Sequence, residues 1–157
     1  MLSSAVKWVV EEPYSPEAER LLEKWKDEDV RTVAPGLLPY EVANALYKRV
    51  LRGEISSDDD RRGVEAILKA GPVLLDHTSV HGEAIGLAQE LKRRAAYDTQ
   101  YLALARRENC ECWTADRRFW EAAKENHPRL RWLGEAPQES EEASRESAEE
   151  STVGDMS

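Results

Sequence analysis

The sequence predicts an α/β protein with a mainly parallel sheet, and three observations carry that prediction. Short β-branched or apolar runs alternate along the chain with segments of helical periodicity. Turn and cap signals such as Ser15-Pro16, Pro35-Gly36 and Gly71-Pro72 punctuate the alternation. Strands that alternate with helices are joined by crossovers, so they run parallel, and the crossover helices cover both faces of the sheet.

Each element has its own local reason. Ser15-Pro16-Glu17 supplies an N-cap, a proline at the first helical position and an acid at the positive end of the helix dipole. Ala18, Leu21, Leu22 and Trp25 follow at helical spacing, and this helix is expected to end near Asp27. Val30 to Ala34 reads as a short strand closed by Pro35-Gly36, and Leu38, Val42, Ala45 and Leu46 mark the next helix. Ser56-Ser57-Asp58-Asp59 resembles a capping box, opening a helix through Val64, Ile67 and Leu68 that Gly71-Pro72 stops. Val73-Leu74-Leu75 is expected as a buried strand. Ala84, Leu87, Ala88 and Leu91 define a helix ending near Arg94, and Tyr97 to Arg107 another. Cys110 to Thr114 reads as a strand, Phe119 to Lys124 as a helix and Leu130 to Leu133 as a last short strand.

The 157 residues suit one core of ordinary size. Charged residues make up 34% and hydrophobic ones 41%, with 31 acids against 22 Lys plus Arg, for a formal charge of −9. Ala136 to Ser157 holds seven acids and one base with almost nothing to bury, so 136–157 is expected to be a disordered acidic tail. The domain, 1–135, keeps 24 acids and 21 bases and is nearly balanced. The bulk positive charge of a nonspecific DNA coat protein is absent from the sequence. No apolar run approaches the roughly 20 residues that cross a bilayer, and no secretory pattern opens the chain, so the expectation is a cytoplasmic protein without a membrane partner. Cys110 and Cys112, one residue apart and without a neighbouring His, read as reduced strand residues. His77, His81 and His127 lack ligand spacing and receive no role.

Three carboxylates stand out against this background because sites in open parallel sheets form beyond the carboxyl ends of the strands. Glu41 is an acid in the otherwise uncharged Pro39-Tyr40-Glu41-Val42-Ala43-Asn44-Ala45-Leu46. Asp98 shares a helical stripe with Tyr101, Leu102 and Ala105. Asp116 comes two residues after the strand that ends at Thr114, where it can also cap the following helix. Each acid alone reads more readily as a cap, an ion-pair partner or surface. Three flanking sheet ends shift the balance, because clustered acids raise one another's pKa and a divalent cation offsets that cost. Mg²⁺ and Mn²⁺ favour carboxylate oxygens and water, and they promote phosphodiester hydrolysis by activating water and offsetting charge on the phosphorus centre.

Pro35 with Tyr40-Glu41-Val42-Ala43-Asn44-Ala45-Leu46, then Ala96-Tyr97-Asp98-Thr99-Gln100-Tyr101-Leu102-Ala103-Leu104-Ala105, then Trp113-Thr114-Ala115-Asp116-Arg117-Arg118-Phe119 resemble the acidic motifs of PIN-domain ribonucleases. Among these the chain looks most like VapC-type toxins of toxin–antitoxin pairs, over Met1 to about Gly134. The resemblance implies a three-layer α/β/α sandwich, RNA cleavage with Mg²⁺ or Mn²⁺, homodimerisation and inhibition by a cognate antitoxin. It implies that Glu41, Asp98 and Asp116 are the metal-binding catalytic acids, with Ser3, Asn44 and Thr114 in support. The family usually begins with a strand ending in Asp, followed two residues later by Ser or Thr. With Ser3 in the hydroxyl position, Met1 falls where that Asp is expected, so the first strand and first acid are expected to be missing from the chain as written, with reduced activity.

An RNA substrate also needs cations around the acids. Lys92-Arg93-Arg94, Arg106-Arg107 and Arg117-Arg118 flank them, and Arg93, Arg94, Arg117 and Arg118 are the candidate RNA contacts; ordinary helix-end chemistry explains the same residues equally well. Trp8, Trp113, Trp120 and Trp132 read as core or dimer-interface residues. Two other readings stand beside the ribonuclease: a binding module that has lost catalysis but engages an antitoxin or dimer partner, and another metal-dependent phosphohydrolase or DNA nuclease.

Overall fold

The computed structural model describes residues 14–56, 58, 62, 63, 65, 66, 69 and 71–136. Ser3, the Met1 register position, Trp8, the helix-marking residues Val64, Ile67 and Leu68, and the tail from Pro137 onward lie outside the described residues. Asp58, Arg62, Gly63, Glu65, Ala66 and Lys69 are helical, as the capping-box reading of that stretch expects.

Helix α1, Ser15–Asp27, corrects the expected cap: left-handed Tyr14, not Ser15, is its N-cap, Ser15 is the buried first helical residue, and Pro16 and Glu17 fall in the first turn, while Ala18, Leu21 and Leu22 are buried on the stripe that the spacing defines. Its end displaces the following strand. Asp29 adopts a left-handed conformation, φ 53°, while the Asp29 N–H donates to Lys26 O and the Val30 N–H to Trp25 O. This closure draws Val30 into the helix terminus, where it is 45% exposed. Strand β1 is therefore Val33–Pro35, three residues later than its β-branched run begins.

Helix α2, Leu38–Leu51, buries Leu38, Val42 and Leu46, and strand β2, Val73–Leu75, pairs with β1 in parallel, Val33 opposite Val73. The expectation of a buried β2 is corrected: Val73 and Leu74 are 39% and 41% exposed. A short apolar run does not distinguish an inner strand from an outer one, and β2 has β1 as its one ladder partner among the described residues.

Helix α3, Thr78–Glu90, ends before Arg94 because Lys92 turns left-handed at φ 51° and the Arg93 N–H donates to Ala88 O. Helix α4, Tyr97–Arg107, has the bounds that the sequence predicts. Strand β3, Cys112–Thr114, leads to α5, Arg117–Ala123, and then to β4, Leu130–Trp132, which pairs in parallel with β3 and runs into a 3₁₀ turn, Leu133–Glu135.

The described architecture is mixed α/β, with two ladders of two short parallel strands each. Two clusters form the core. The larger joins Val33, Ala34, Leu38, Leu46, Leu102, Leu104, Cys112, Phe119 and Leu130, so α2, α4, α5 and both ladders share it. The smaller joins Ala18, Leu21, Trp113 and Leu133, with Trp25 packed against it. Neighbouring strand residues point to opposite faces. Cys112 accordingly packs in the larger cluster and Trp113 in the smaller, and burial pushes the Cys112 thiol up to about 12, well above its ordinary range. Among the described residues no helix is long and apolar enough to cross a membrane.

Candidate functional site

The three acids enter from three helix starts. Glu41 is in the first turn of α2, just beyond the end of β1, and Asp98 is the second residue of α4. Asp116 follows β3 and caps α5: its Oδ1 accepts the Phe119 N–H at 3.0 Å, while its own N–H donates to Thr114 Oγ1 at 3.1 Å. The positive end of each helix dipole favours a carboxylate at these positions. Cap and candidate site are therefore two properties of one Asp116 side chain, whose two oxygens face different partners.

Two side chains tie the acids together. Tyr101, one turn beyond Asp98 on α4, donates its hydroxyl to Glu41 Oε2 at 2.7 Å. Arg93 reaches back from the α3–α4 connection, and its Nη2 donates to Asp98 Oδ2 at 3.0 Å and to Asp116 Oδ2 at 2.9 Å. One nitrogen thus serves both aspartates. The Arg93 guanidinium also lies over the buried Phe119 ring, 5.3 Å from its centroid.

The electrostatics follow from burial and from this pairing. Burial raises the Glu41 carboxyl above its ordinary range, the Tyr101 hydroxyl pulls it down, and the Asp98 charge adds to the rise. Burial likewise raises Asp98, against the Arg93 guanidinium, with the Asp116 charge a further upward influence. At Asp116 the upward push of burial is outweighed by the Phe119 N–H and by Arg93, so its carboxyl is held down. Burial and the adjacent Glu41 push the Tyr101 hydroxyl far above its ordinary range, so it stays a donor.

The structure brings Asp98 and Asp116 onto one cation and links Glu41 to them through α4. Among the described residues no three His, Cys, Asp or Glu side chains are grouped to hold one metal ion, because Glu41 turns to Tyr101 while the two aspartates close on Arg93. The donor set still fits Mg²⁺ or Mn²⁺. It consists of carboxylate oxygens, two of which already share a point of positive charge, and Glu41 and Asp98 carry raised proton affinities that a cation would relieve.

The supporting residues divide. Thr114 is buried and holds the Asp116 backbone, whereas Asn44 lies on the exposed side of α2, one turn beyond Glu41. Arg94 and Arg118 are exposed. Arg117 pairs with Glu121 and lies over Trp132, and Arg106 pairs with Glu83, so part of the expected basic rim is engaged within the protein. By sequence Tyr101 shares the helical stripe of Asp98 and carries no assigned role; its spacing of three from Asp98 is the signal that points to one. At the same rim, Pro35, Tyr40, Asp76, His81 and Gln100 line a cleft of about 290 Å³, and His81 Nδ1 lies 3.0 Å from Gln100 Oε1. No protein-family model matches the chain, and no curated protein matches it.

Proposed function

We propose that the chain is a divalent-metal-dependent endoribonuclease of the PIN-domain kind, acting as a VapC-like toxin. The observation that carries the reading is the linkage of Glu41, Asp98 and Asp116 through Tyr101 and Arg93 at three helix starts beyond the strand ends. In this reading the two ladders are parts of one parallel sheet in a three-layer α/β/α sandwich. The opposite-facing Cys112 and Trp113, and the packing of α4 on both β1 and β3, support it.

Asp98 and Asp116 would hold Mg²⁺ or Mn²⁺, with Glu41 completing the carboxylate set. The bound metal would supply water activation and charge stabilisation at phosphorus. Thr114 fixes the Asp116 backbone, and Tyr101 orients Glu41. The cleft beside Tyr40, His81 and Gln100 offers polar groups to an RNA strand, and the exposed Arg94 and Arg118 offer positive charge to its phosphates. For the homodimer or antitoxin partner, Tyr40, Asn44, Tyr47 and Leu51 form an exposed stripe along α2 at spacings of four, three and four.

Purified protein is expected to cleave RNA in Mg²⁺ or Mn²⁺, with the cleavage abolished in Asp98→Asn. Structured RNA, single-stranded RNA and DNA assayed side by side separate this reading from a DNA nuclease or other phosphohydrolase. A second reading, a PIN-fold binding module without catalysis, is favoured by one observation: Arg93 already pairs with both Asp98 and Asp116 and offsets one of their two negative charges. Stable capture of an antitoxin or a second copy, without cleavage in either metal, would establish that reading instead.

A further inference from the structure

The position of Arg93 has a consequence for the proposed metal. Its Nη2 makes ion pairs of 3.0 and 2.9 Å with the Oδ2 atoms of Asp98 and Asp116, the oxygens that a shared cation would use. A guanidinium nitrogen and a divalent ion cannot occupy the same place between two carboxylate oxygens. Resting on the metal-centre reading, we propose that Arg93 is a built-in, displaceable counter-cation of the Asp98–Asp116 pair, so that metal loading and the Arg93 ion pairs are mutually exclusive and Arg93 sets the site's metal affinity.

The fold seats this side chain rather than leaving it to chance. Left-handed Lys92 turns the chain at the end of α3, and the Arg93 N–H donates to Ala88 O at 2.8 Å, which fixes where the side chain departs. Phe119, fully buried, lies beneath the guanidinium. Lys92 and Arg94 on either side are exposed, whereas Arg93 is 24% exposed in its side chain. Arg93 therefore offsets one of the two aspartate charges before metal arrives, which limits their mutual repulsion in the metal-free fold. Because the pairs retain contact with water, their hold is moderate and a divalent ion can compete with it. Once released, the guanidinium remains on the short α3–α4 connection beside the site, where it can meet a phosphate oxygen.

The test is Mn²⁺ binding by calorimetry to the full 157-residue chain without RNA. Arg93→Met keeps an apolar stem over Phe119 and removes the charge, and it is expected to bind Mn²⁺ about tenfold more tightly than the unaltered chain. Arg93→Lys, which keeps a charge but loses the fork, is expected to fall between the two. Asp98→Asn is expected to lose most Mn²⁺ affinity in either background. If Arg93 merely clamps α4 to the β3–α5 connection, both Arg93 variants will melt lower yet bind Mn²⁺ no more tightly, and the proposal is overturned. Should Arg93→Met fail to fold, the Arg93→Lys affinity decides. Absence of Mn²⁺ binding in the unaltered chain and in every Arg93 variant would overturn the metal-centre reading along with this one, whereas equal binding in all of them overturns this one alone.

Discussion

Tyr101→Phe removes one hydroxyl and keeps the ring, so it isolates the bond that joins α4 to Glu41 on α2. Tyr101 is 1% exposed, and its hydroxyl donates to Glu41 Oε2 at 2.7 Å. A hydrogen bond to a charged group contributes about 1.5–3 kcal/mol to stability. Glu41 is half-buried, so water replaces part of what is lost, and the expected cost at pH 7 is about 1–2 kcal/mol. For a domain of this size that lowers Tm by about 3–10 °C.

The cost also depends on pH in a fixed direction. Burial raises Glu41, so its contribution to stability is fully present below its ordinary value of 4.5 and is lost as pH rises through the raised one. Removing the hydroxyl, which favours the charged form, raises Glu41 further. The Tyr101→Phe penalty is therefore larger at pH 7 than at pH 4. Urea unfolding of the unaltered chain, Tyr101→Phe, Glu41→Gln and the double variant gives a cycle whose coupling should reach about 1 kcal/mol with the urea slope unchanged. A Tyr101→Phe loss below about 0.5 kcal/mol, with no coupling to Glu41, would refute the assignment of Tyr101 as the residue that orients Glu41.

Three further outcomes follow from local geometry. Thr114→Val keeps the shape of a buried side chain and removes the acceptor of the Asp116 N–H, so it should cost about 1–3 kcal/mol in urea unfolding, with Thr114→Ser recovering most of the loss. A Cβ at Gly134 would collide with the Trp132 ring, which stacks on Trp120, so Gly134→Ala should cost about 1–3 kcal/mol and shift the tryptophan emission; unchanged emission and Tm would contradict this packing. Burial, then the charge of Arg106, lowers His127, whose buried Nε2 has no hydrogen-bond partner among the described residues. Its contribution to stability is thus complete above its ordinary value of 6.5 and lost as pH falls through the lowered one. The Tm of His127→Gln should fall less between pH 7.5 and pH 5 than that of the unaltered chain, and an equal fall would exclude His127 as the source.

The amino-acid sequence determined those features whose causes are local. Pro16 and Glu17 fall in the first turn of α1, the spacing of Leu38, Val42 and Leu46 sets the buried face of α2, and the bounds of α4 are where its periodicity puts them. Alternation of strands and helices was enough to require parallel pairing, which both ladders have. Glu41, Asp98 and Asp116 were identifiable as candidates because each is an acid out of keeping with its surroundings at a strand end or helix start.

Tertiary structure decided the relations between them. Val73 and Leu74 are apolar enough for an inner strand, yet they are exposed while β1, their partner in the same ladder, is buried, and no property of the run itself records its neighbours. By sequence Arg93 is one of four candidate RNA contacts in a basic rim, and nothing local separates it from Arg94. The left-handed turn at Lys92 and the Phe119 ring single out Arg93 and aim it at two aspartates, five and 23 positions along the chain. Tyr101 meets Glu41 across 60 positions for the same reason. Residue type and spacing define which groups can ionise or donate, but the packing of separate elements determines which of them meet.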